Sequence, residues 1–218
     1  MTRELVAQIR GSVSELPAAQ WDALSDGSNP FVSHAFLSSL EDSGSVGGRS
    51  GWVPVPIVIE DEQGQLAGAL PAYLKEHSQG EYVFDHAWAD AWQRAGGNYY
   101  PKLQITVPFT PATGPRILTR DPALLQPLLR AAQGLCAQSE LSSAHATFIE
   151  PSQVPAFEQA GWLLREDTQF HWTNRGYGNF EDFLGELASR KRKDLRKERA
   201  KAQEGLTIRA LTGADIQE

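Results

Sequence analysis

The sequence predicts a mixed α/β (α+β) fold in which a largely antiparallel sheet is flanked by helices. Segments of alternating hydrophobicity, as at residues 52–60, predict strands, and segments with apolar residues at helical spacing, as at 122–138, predict helices. The two kinds of segment alternate along the chain. A hydrophobic fraction of 41% and a charged fraction of 22% are typical of a globular protein, and 218 residues make one large domain or one domain with part of another.

The first elements are a strand at residues 5–10 and two short helices. The first helix, at 17–24, surrounds Trp21, and the second, at 33–41, begins after the chain is broken by Asn29 and Pro30. We therefore expect these helices to cover one part of the sheet.

A strand hairpin follows at residues 52–75. The letters VPVPIVIE within residues 52–60 alternate as in a strand, and a glycine turn at 61–65 returns the chain as a partner strand at 66–75. Prolines at positions 54, 56 and 71 weaken the ladder, so part of this hairpin is expected at a sheet edge.

Further short strands and helices are predicted in the middle of the chain. Glycines 96 and 97 stop one of the helices, and the loop at 108–116 is rich in Pro, Thr and Gly. The clearest amphipathic helix is 122–138, which carries Leu124, Leu125, Leu128, Leu129 and Ala132 on one face. The remaining predictions are strands at 81–85, 103–107, 146–150 and 168–172, and helices at 89–94 and 154–160.

A long helix is predicted from Asn179, which is a good N-cap residue. Its apolar stripe fades beyond Leu187, and Gly205 ends it. A strand at 206–211 and a helix start at Thr212 follow. Because these elements stand at the end of the chain, we expect the sequence to be the N-terminal part of a longer one. The sequences of residues 6–10 and 207–210 are weakly similar, which either supports this expectation or is a coincidence between two short strands.

Charge is distributed unevenly along the chain. The net charge is −7, but residues 190–201 contain eight basic and two acidic residues (+6), whereas residues 1–189 sum to −11. Like charges lie four residues apart on the predicted helix, which costs stability. Either this helix end is simply solvated, or it binds phosphate from a nucleotide-linked substrate, CoA or tRNA. The candidate anion-binding residues are Arg192, Lys193, Arg196 and Lys197.

Several classes of protein are excluded by composition. No apolar run of about 18 residues predicts a membrane span, and residues 1–11 lack the apolar core of a secretory signal. The single cysteine, Cys136, excludes an internal disulfide and a multi-cysteine zinc site, and the histidine spacing fits no metal signature. We therefore expect a cytoplasmic protein without a metal. No strand–turn–helix pyrophosphate loop is found, since the two nearest glycine patterns, at 65–70 and 93–98, fail in sequence or context.

Residues 77–116 concentrate the candidate chemistry. Acidic and histidine side chains lie there among aromatic ones, and such carboxylates acquire raised pKa values suited to a general base. Alternatively, the aromatics are core and the acids cap turns, and the loop at 108–116 is braced by prolines against the sheet. The nearby titratable candidates are His77, Glu81 and His86. The candidate substrate-binding residues are Tyr82, Asp85, Trp88, Asp90, Tyr99, Tyr100, Lys102, Thr110, Thr113 and Arg116.

Several longer motifs lie in and around this segment. They are NPFVSHAFLSSLE (29–41), GEYVFD (80–85), AWADA (87–91), YYPKL (99–103), VPFTP (107–111), TGPR (113–116), WTNRGY (172–177) and SRKRKDLRKER (189–199). Through them the chain, from about residue 20 to its end, resembles the Fem-like, GNAT-type N-acyltransferases known as peptidoglycan biosynthesis or recognition proteins. The resemblance identifies no catalytic residue.

The resemblance implies two GNAT-like lobes joined by a basic helix. Residues 1–178 would form the first lobe, with helices on both faces of its sheet, 179–204 the connecting helix, and 205–218 the start of a second lobe. An acceptor amine, such as that of a cell-wall precursor, would attack an activated acyl group directly. The donor, acyl-CoA (acetyl-CoA) or aminoacyl-tRNA, would bind mainly to the second lobe, so this chain alone is expected to be inactive and to bind CoA poorly. The alternative is a non-catalytic module that recognises a cell-wall precursor or nucleic acid.

Overall fold

The computed structural model describes residues 6–216, with the side chains of Ala214 and Ile216 left aside. The chain divides into two compact units, one up to Arg165 and one from Glu166 onward. The strands are β1 (Ala7–Ile9), β2 (Trp52–Pro54), β3 (Ile57–Glu60), β4 (Leu66–Leu70), β5 (Ala72–Lys75), β6 (Lys102–Ile105), β7 (Leu118–Thr119) and β8 (Ala144–Ala146). The α-helices are α1 (Ala18–Ala23), α2 (His34–Asp42), α3 (His86–Arg94), α4 (Leu125–Gln138), α5 (Val154–Gln159), α6 (Phe180–Gly185) and α7 (Ser189–Gln203).

The strands of the first unit form two four-stranded sheets, with the orders β1-β3-β4-β7 and β2-β5-β6-β8. Among the described strands, every pairing is antiparallel except that of β6 with β8, which α4 connects as a crossover. The prediction of a mixed α/β fold with mostly antiparallel strands is confirmed.

The predicted hairpin at 52–75 is divided between the two sheets. Its outer halves β2 and β5 pair in one sheet, and its inner halves β3 and β4 pair in the other. Pro56 and Pro71 lie at the two breaks. Because proline lacks the N–H that continues a ladder, these prolines mark a change of sheet rather than only an edge.

Helices cover both faces of the β1-β3-β4-β7 sheet, as predicted. Ile57 and Ile59 belong to a core with Leu128 and Leu129 of α4, while Val58 between them belongs to a core with Trp21 and Leu37 of α1 and α2. This division follows from the alternation of side chains along a strand. The 3₁₀ turn Pro122–Leu124 leads directly into α4, in agreement with the helix predicted at 122–138.

Three predicted strands are wrong. Residues 81–85 form an irregular segment, because Tyr82 has φ of +56°, a left-handed value that no strand accommodates. Residues 168–172 and 206–211 are also irregular, and their side chains are exposed. Their alternation lacks the burial that stabilises a strand. The strand predicted at 146–150 lies earlier, as β8, and Ile149 makes an isolated bridge to Gly114. Of the strand predicted at 5–10, Leu5 lies outside the described residues.

The second unit has two helices where the sequence predicts one. The Asn179 side chain accepts a hydrogen bond from the Asp182 N–H at 3.1 Å, so the predicted N-cap is confirmed. However, α6 ends at Gly185, and Ala188 has an extended backbone before α7 begins. Glycine in a helix costs about 1 kcal/mol relative to alanine, which favours the break. A 3₁₀ turn, Gly213–Ile216, follows Thr212.

Candidate functional site

Four of the predicted site residues meet inside the first unit, around the buried ammonium group of Lys102 on β6. Lys102 Nζ donates to Asp85 Oδ2 at 2.5 Å, to Glu81 Oε2 at 2.8 Å and to Ser78 Oγ at 2.9 Å. We call the group the Lys102 cluster. Its members are Ser78, Glu81, Asp85, Tyr99, Tyr100 and Lys102.

The two tyrosines complete the Lys102 cluster. Tyr99 donates its hydroxyl hydrogen to Asp85 Oδ2 at 2.8 Å, and the Tyr100 hydroxyl hydrogen-bonds Ser78 Oγ at the same distance. The rings are perpendicular, with centroids 5.1 Å apart, and the Lys102 ammonium lies 5.4 Å from the Tyr99 centroid. Burial raises the pKa of Tyr99, which therefore remains a hydrogen-bond donor at neutral pH.

The irregular segment 76–85 supplies Ser78, Glu81 and Asp85. Its path is fixed by Gly80, with φ of +79°, where an added Cβ would meet the Phe109 ring at 2.6 Å. Asp85 ends the segment and begins α3, since its carbonyl accepts the N–H groups of Trp88 and Ala89 at 2.9 and 3.0 Å. The cluster therefore joins β6 to the start of α3.

The cluster holds two carboxylates and one ammonium group, and all three side chains are at most 4% exposed. Burial raises the pKa of Glu81, although Lys102 opposes the shift. Burial would also raise the pKa of Asp85, but hydrogen bonds, first among them that from Lys102, outweigh it and lower the pKa. One oxygen of each carboxylate, Glu81 Oε1 and Asp85 Oδ1, is buried without a hydrogen-bond partner among residues 6–216. With all three groups ionised, the cluster has one excess negative charge and two unused acceptors.

A second buried lysine lies beside the cluster. Lys75 on β5 is paired in register with Lys102, and its Nζ lies 3.5 Å from the Trp52 ring centroid and 3.2 Å from the Gln79 carbonyl oxygen. Burial lowers the pKa of Lys75 to about 7. At neutral pH this amine exchanges a proton readily, and when protonated it balances the excess charge of the cluster.

Three other predicted residues lie on the surface of the same unit. Tyr82 and Trp88 are exposed by 53% and 59%, and Asp90 is exposed as well. The Arg165 guanidinium carbon lies 5.7 Å from the Trp88 ring centroid. The structure therefore separates these side chains from the buried cluster.

The loop at 108–116 is braced internally, as in the alternative interpretation of its sequence. Arg116 is fully buried and donates to the carbonyl oxygens of Thr147 and Ala112, both at 2.8 Å. Thr110 Oγ1 donates to the Pro108 carbonyl at 3.0 Å, and the Thr113 carbonyl accepts from the side chain of Asn29. The guanidinium of Arg116 thus fixes the loop backbone.

The candidate anion-binding residues lie on α7. Arg196 forms an ion pair with Glu181 of α6, and the resulting hydrogen bond lowers the pKa of Glu181. Lys193 and Lys197 are exposed, and Arg192 is half-buried. Three of the four side chains are thus exposed, and one of these three, Arg196, is ion-paired.

The WTNRGY motif lines a cleft of about 350 Å³ in the second unit. The Tyr177 hydroxyl donates to Glu186 Oε2 at 2.9 Å, and Trp172 and Phe183 pack edge to face with centroids 6.3 Å apart. The motif therefore organises the segment before α6.

The sequence interpretation missed Lys75 and Ser78 and left Glu81 outside its substrate-binding set. A signal was present for the lysines. Lys75 and Lys102 each stand in an apolar strand, beside Leu74 and Leu103, where a charged side chain is buried only with partners. Glu81 and Asp85, four residues apart, lie between the two lysines in the sequence.

Within residues 6–216, no helix has the length and apolar character needed to cross a lipid bilayer, and no three side chains of His, Cys, Asp or Glu are grouped so as to hold a metal ion. No curated protein and no solved structure gives a significant match to the chain. A family model, FemAB-like, described as peptidoglycan biosynthesis/recognition, matches residues 12–218. Since this match covers nearly the whole sequence, the chain belongs to the FemAB-like family of peptidoglycan biosynthesis and recognition proteins.

Proposed function

We propose that the chain binds the amine acceptor in an N-acyltransferase reaction on a cell-wall precursor. Membership of a peptidoglycan biosynthesis and recognition family supports a precursor as the substrate class. The donor would be an acyl-CoA or an aminoacyl-tRNA. The proposal retains the lobe division expected from the sequence, with residues 1–178 as the acceptor lobe, 179–204 as the connector and 205–218 as the start of a donor lobe.

The Lys102 cluster is the observation that carries this proposal. The excess negative charge that the cluster has when Lys75 is neutral, and the unused oxygens of Glu81 and Asp85, favour a ligand that brings a positive charge and N–H donors. A primary ammonium group on a peptide side chain has both properties. Burial, which raises the pKa of Glu81, also makes its carboxylate the better proton acceptor of the two.

The proposed step is a direct transfer. The neutral amine nitrogen attacks the acyl carbonyl carbon, a C–N bond forms, and the bond from that carbon to the donor sulfur or ribose oxygen breaks. The bound ammonium group first gives one proton to the Glu81 carboxylate and so becomes the neutral amine. After the attack, the second nitrogen proton passes to the leaving thiolate or alkoxide, and Glu81 returns its proton to solvent. No covalent enzyme intermediate is involved.

Access requires movement, because the cluster is closed to solvent. Segment 76–85 covers it and is held by the same contacts that would bind the amine, namely those of Ser78, Glu81 and Asp85 with Lys102. An incoming ammonium group would replace Lys102 at one or both carboxylates. This closure also supports the alternative function, a non-catalytic module that recognises a cell-wall precursor or nucleic acid.

The test compares two forms of one ligand by calorimetry. A muramyl pentapeptide with a free side-chain amine is titrated into the full chain, beside the same peptide with that amine acetylated. We expect the free amine to bind at least about tenfold more tightly, since hydrogen bonds to charged groups contribute about 1.5–3 kcal/mol each. E81Q should abolish the difference, and E158Q, at an exposed position of α5, should preserve it. Equal affinity for both peptides would refute the proposed acceptor site.

Turnover separates the two functions. Mass spectrometry of the peptide, incubated with the full chain and acetyl-CoA or aminoacyl-tRNA, detects the acylated amine. Transfer that E81Q abolishes supports the enzyme over the binding module. Amine-dependent binding without transfer is expected of both functions, because the chain holds only the start of the proposed donor lobe.

A further inference from the structure

Large aromatic side chains are exposed around α3, which the Lys102 cluster leaves unused. Phe84, Trp88 and Trp92 are exposed by 74%, 59% and 51%. Trp88 and Trp92 lie four residues apart and therefore share one face of α3. Ala91 and Ala95, which project from the same side, are exposed too. An exposed patch of this kind marks a binding surface.

The two indoles are held in place by neighbours. The guanidinium of Arg165 lies against Trp88, and the same side chain donates to the Phe84 carbonyl oxygen at 3.4 Å. Trp92 rests on the backbone of Gly97, where an added Cβ would overlap the indole ring. Both rings are thus supported while about half of each stays open to solvent, so a flat ligand pays little to order them.

The charges around the rings restrict the ligand. Asp90 and Arg94 each lie two residues from Trp92 and therefore project from the other side of α3, whereas the Arg165 guanidinium lies against Trp88. The first unit as a whole, residues 1–165, contains 17 acidic and 10 basic residues and carries a net charge of −7. A nucleic acid or an anionic membrane would be repelled by that acidic unit. The patch suits a neutral ligand with an apolar face and a hydrogen-bonding edge.

We propose that Trp88 and Trp92 form a stacking platform for an N-acetylhexosamine ring of the cell-wall glycan. A sugar ring presents C–H groups on its face, which stack on an indole, and hydroxyl and amide groups on its edge, which the Arg165 guanidinium beside Trp88 can bind. The choice of a cell-wall sugar rests on the proposed function and on membership of the family.

The platform is joined to the Lys102 cluster through Asp85. The Asp85 carboxylate is held by Lys102 and Tyr99, and its carbonyl accepts the backbone N–H of Trp88. The sugar and the amine are parts of one precursor molecule. A sugar bound at the platform would therefore hold this molecule, and the start of α3, next to the cluster. Trp88 and Trp92 act in binding and not in the transfer step.

The probe is the tetrasaccharide of N-acetylglucosamine, titrated into the full chain by calorimetry and by tryptophan fluorescence. We expect saturable binding that is unchanged between low and high salt, since the ligand is neutral. W88A and W92A should each weaken it at least about fivefold, in line with the loss of one aromatic stacking partner. W88F and W92F should retain most of the affinity. G97A should weaken it by displacing the Trp92 ring. The matched control is W172A, which removes an indole exposed by 65% in the second unit.

Other outcomes overturn the platform. The platform is refuted if the tetrasaccharide does not bind, or if W88A and W92A bind it as tightly as the wild type. It is also refuted if these variants change only the oligomeric state of the protein or its sedimentation with neutral lipid vesicles. The tetrasaccharide has no free amine, so its binding is independent of the Glu81 test. If the tetrasaccharide does not bind but the free-amine peptide still binds more tightly than the acetylated one, only the platform is refuted. If the tetrasaccharide binds but the two peptides bind equally, only the proposed acceptor site is refuted.

Discussion

Lys75 and Lys102 lie directly opposite each other on β5 and β6, and both are fully buried. Within residues 6–216, only Lys102 of these two is ion-paired to carboxylates. Lys75 has the Trp52 ring, the Gln79 carbonyl and His77 Nδ1 as its neighbours. The same strand pairing therefore places an ion-paired ammonium group, that of Lys102, next to one that burial destabilises, that of Lys75. Their behaviour on mutation and on change of pH should differ accordingly.

K75M should stabilise the protein at pH 6 and lose that advantage as the pH rises. The folded pKa of Lys75, about 7, lies below its unfolded value of 10.5, so the unfolded chain binds more protons between these values. Wild-type stability should then rise with pH across this window relative to K75M, by at most about 1.4 kcal/mol per pH unit. Urea unfolding of both proteins from pH 6 to pH 10 measures the difference, and a difference that does not vary with pH would contradict the prediction.

K102M should destabilise the protein strongly at neutral pH. It leaves two buried carboxylates without their cation, and breaking a buried pair in this way costs about 3–5 kcal/mol. The triple variant K102M/E81Q/D85N, which removes the unpaired charges, should recover a large part of the loss. The measurement is the free energy of unfolding in urea, with K201M at an exposed position of α7 as the control. A loss as small as that of K201M would show that the ion pairs contribute little.

The two carboxylates should respond to pH with opposite signs. The pKa of Glu81 is raised in the folded state, so its contribution to stability falls as the pH rises from the ordinary value of 4.5 through the folded value. The pKa of Asp85 is lowered, so its contribution is present above the ordinary value of 3.8 and is lost as the pH falls through the folded value. The stability of wild type minus that of E81Q should therefore fall with rising pH, and wild type minus D85N should rise. Thermal unfolding between pH 3 and pH 8 tests both, and slopes of the same sign would refute the assignment.

The cluster was partly predictable because its members are close in sequence. Asp85, Tyr99, Tyr100 and Lys102 lie within 18 residues of one another, and buried lysines require acidic partners. The position of Lys75 opposite Lys102 could not be predicted, since it depends on the register of β5 with β6, which is a non-local property.

The local features of the fold were likewise predictable from the sequence, and the non-local ones were not. α4 was predictable from a long apolar stripe, and α1 and α2 from their start signals. The division of one hairpin between two sheets was not, because it depends on how the chain turns at Pro56 and Pro71. The irregular path of 81–85 was hidden too, because Tyr82 takes a left-handed conformation that is uncommon for its residue type.

The last prediction concerns anion binding by α7, which remains a proposal from the sequence. The first turn of this helix carries Arg190, Lys191 and Arg192, and Lys193 follows, without an acidic residue in the first turn and without a side-chain cap at Ala188. Cations at a helix N-terminus oppose the helix dipole. A phosphate bound along α7 would offset this repulsion by charge-assisted hydrogen bonds. Arg196 should contribute less than its neighbours, because it already binds Glu181.

K193E/K197E should therefore weaken binding of the full chain to phosphate-bearing ligands, for which unacylated tRNA and CoA serve as separate probes. The variant leaves the Arg196–Glu181 pair intact and changes two exposed side chains four residues apart. We expect affinity for the bound probe to fall at least about tenfold, and wild-type affinity to weaken with salt with a slope of about 0.7 for each phosphate contacted on a single strand. R49E/R130E, which reverses two exposed arginines in the first unit, is the matched control, because it makes the same change in net charge. If both double variants lose affinity equally, net charge explains the effect. If neither variant loses affinity and salt has no influence, α7 is only a solvated helix.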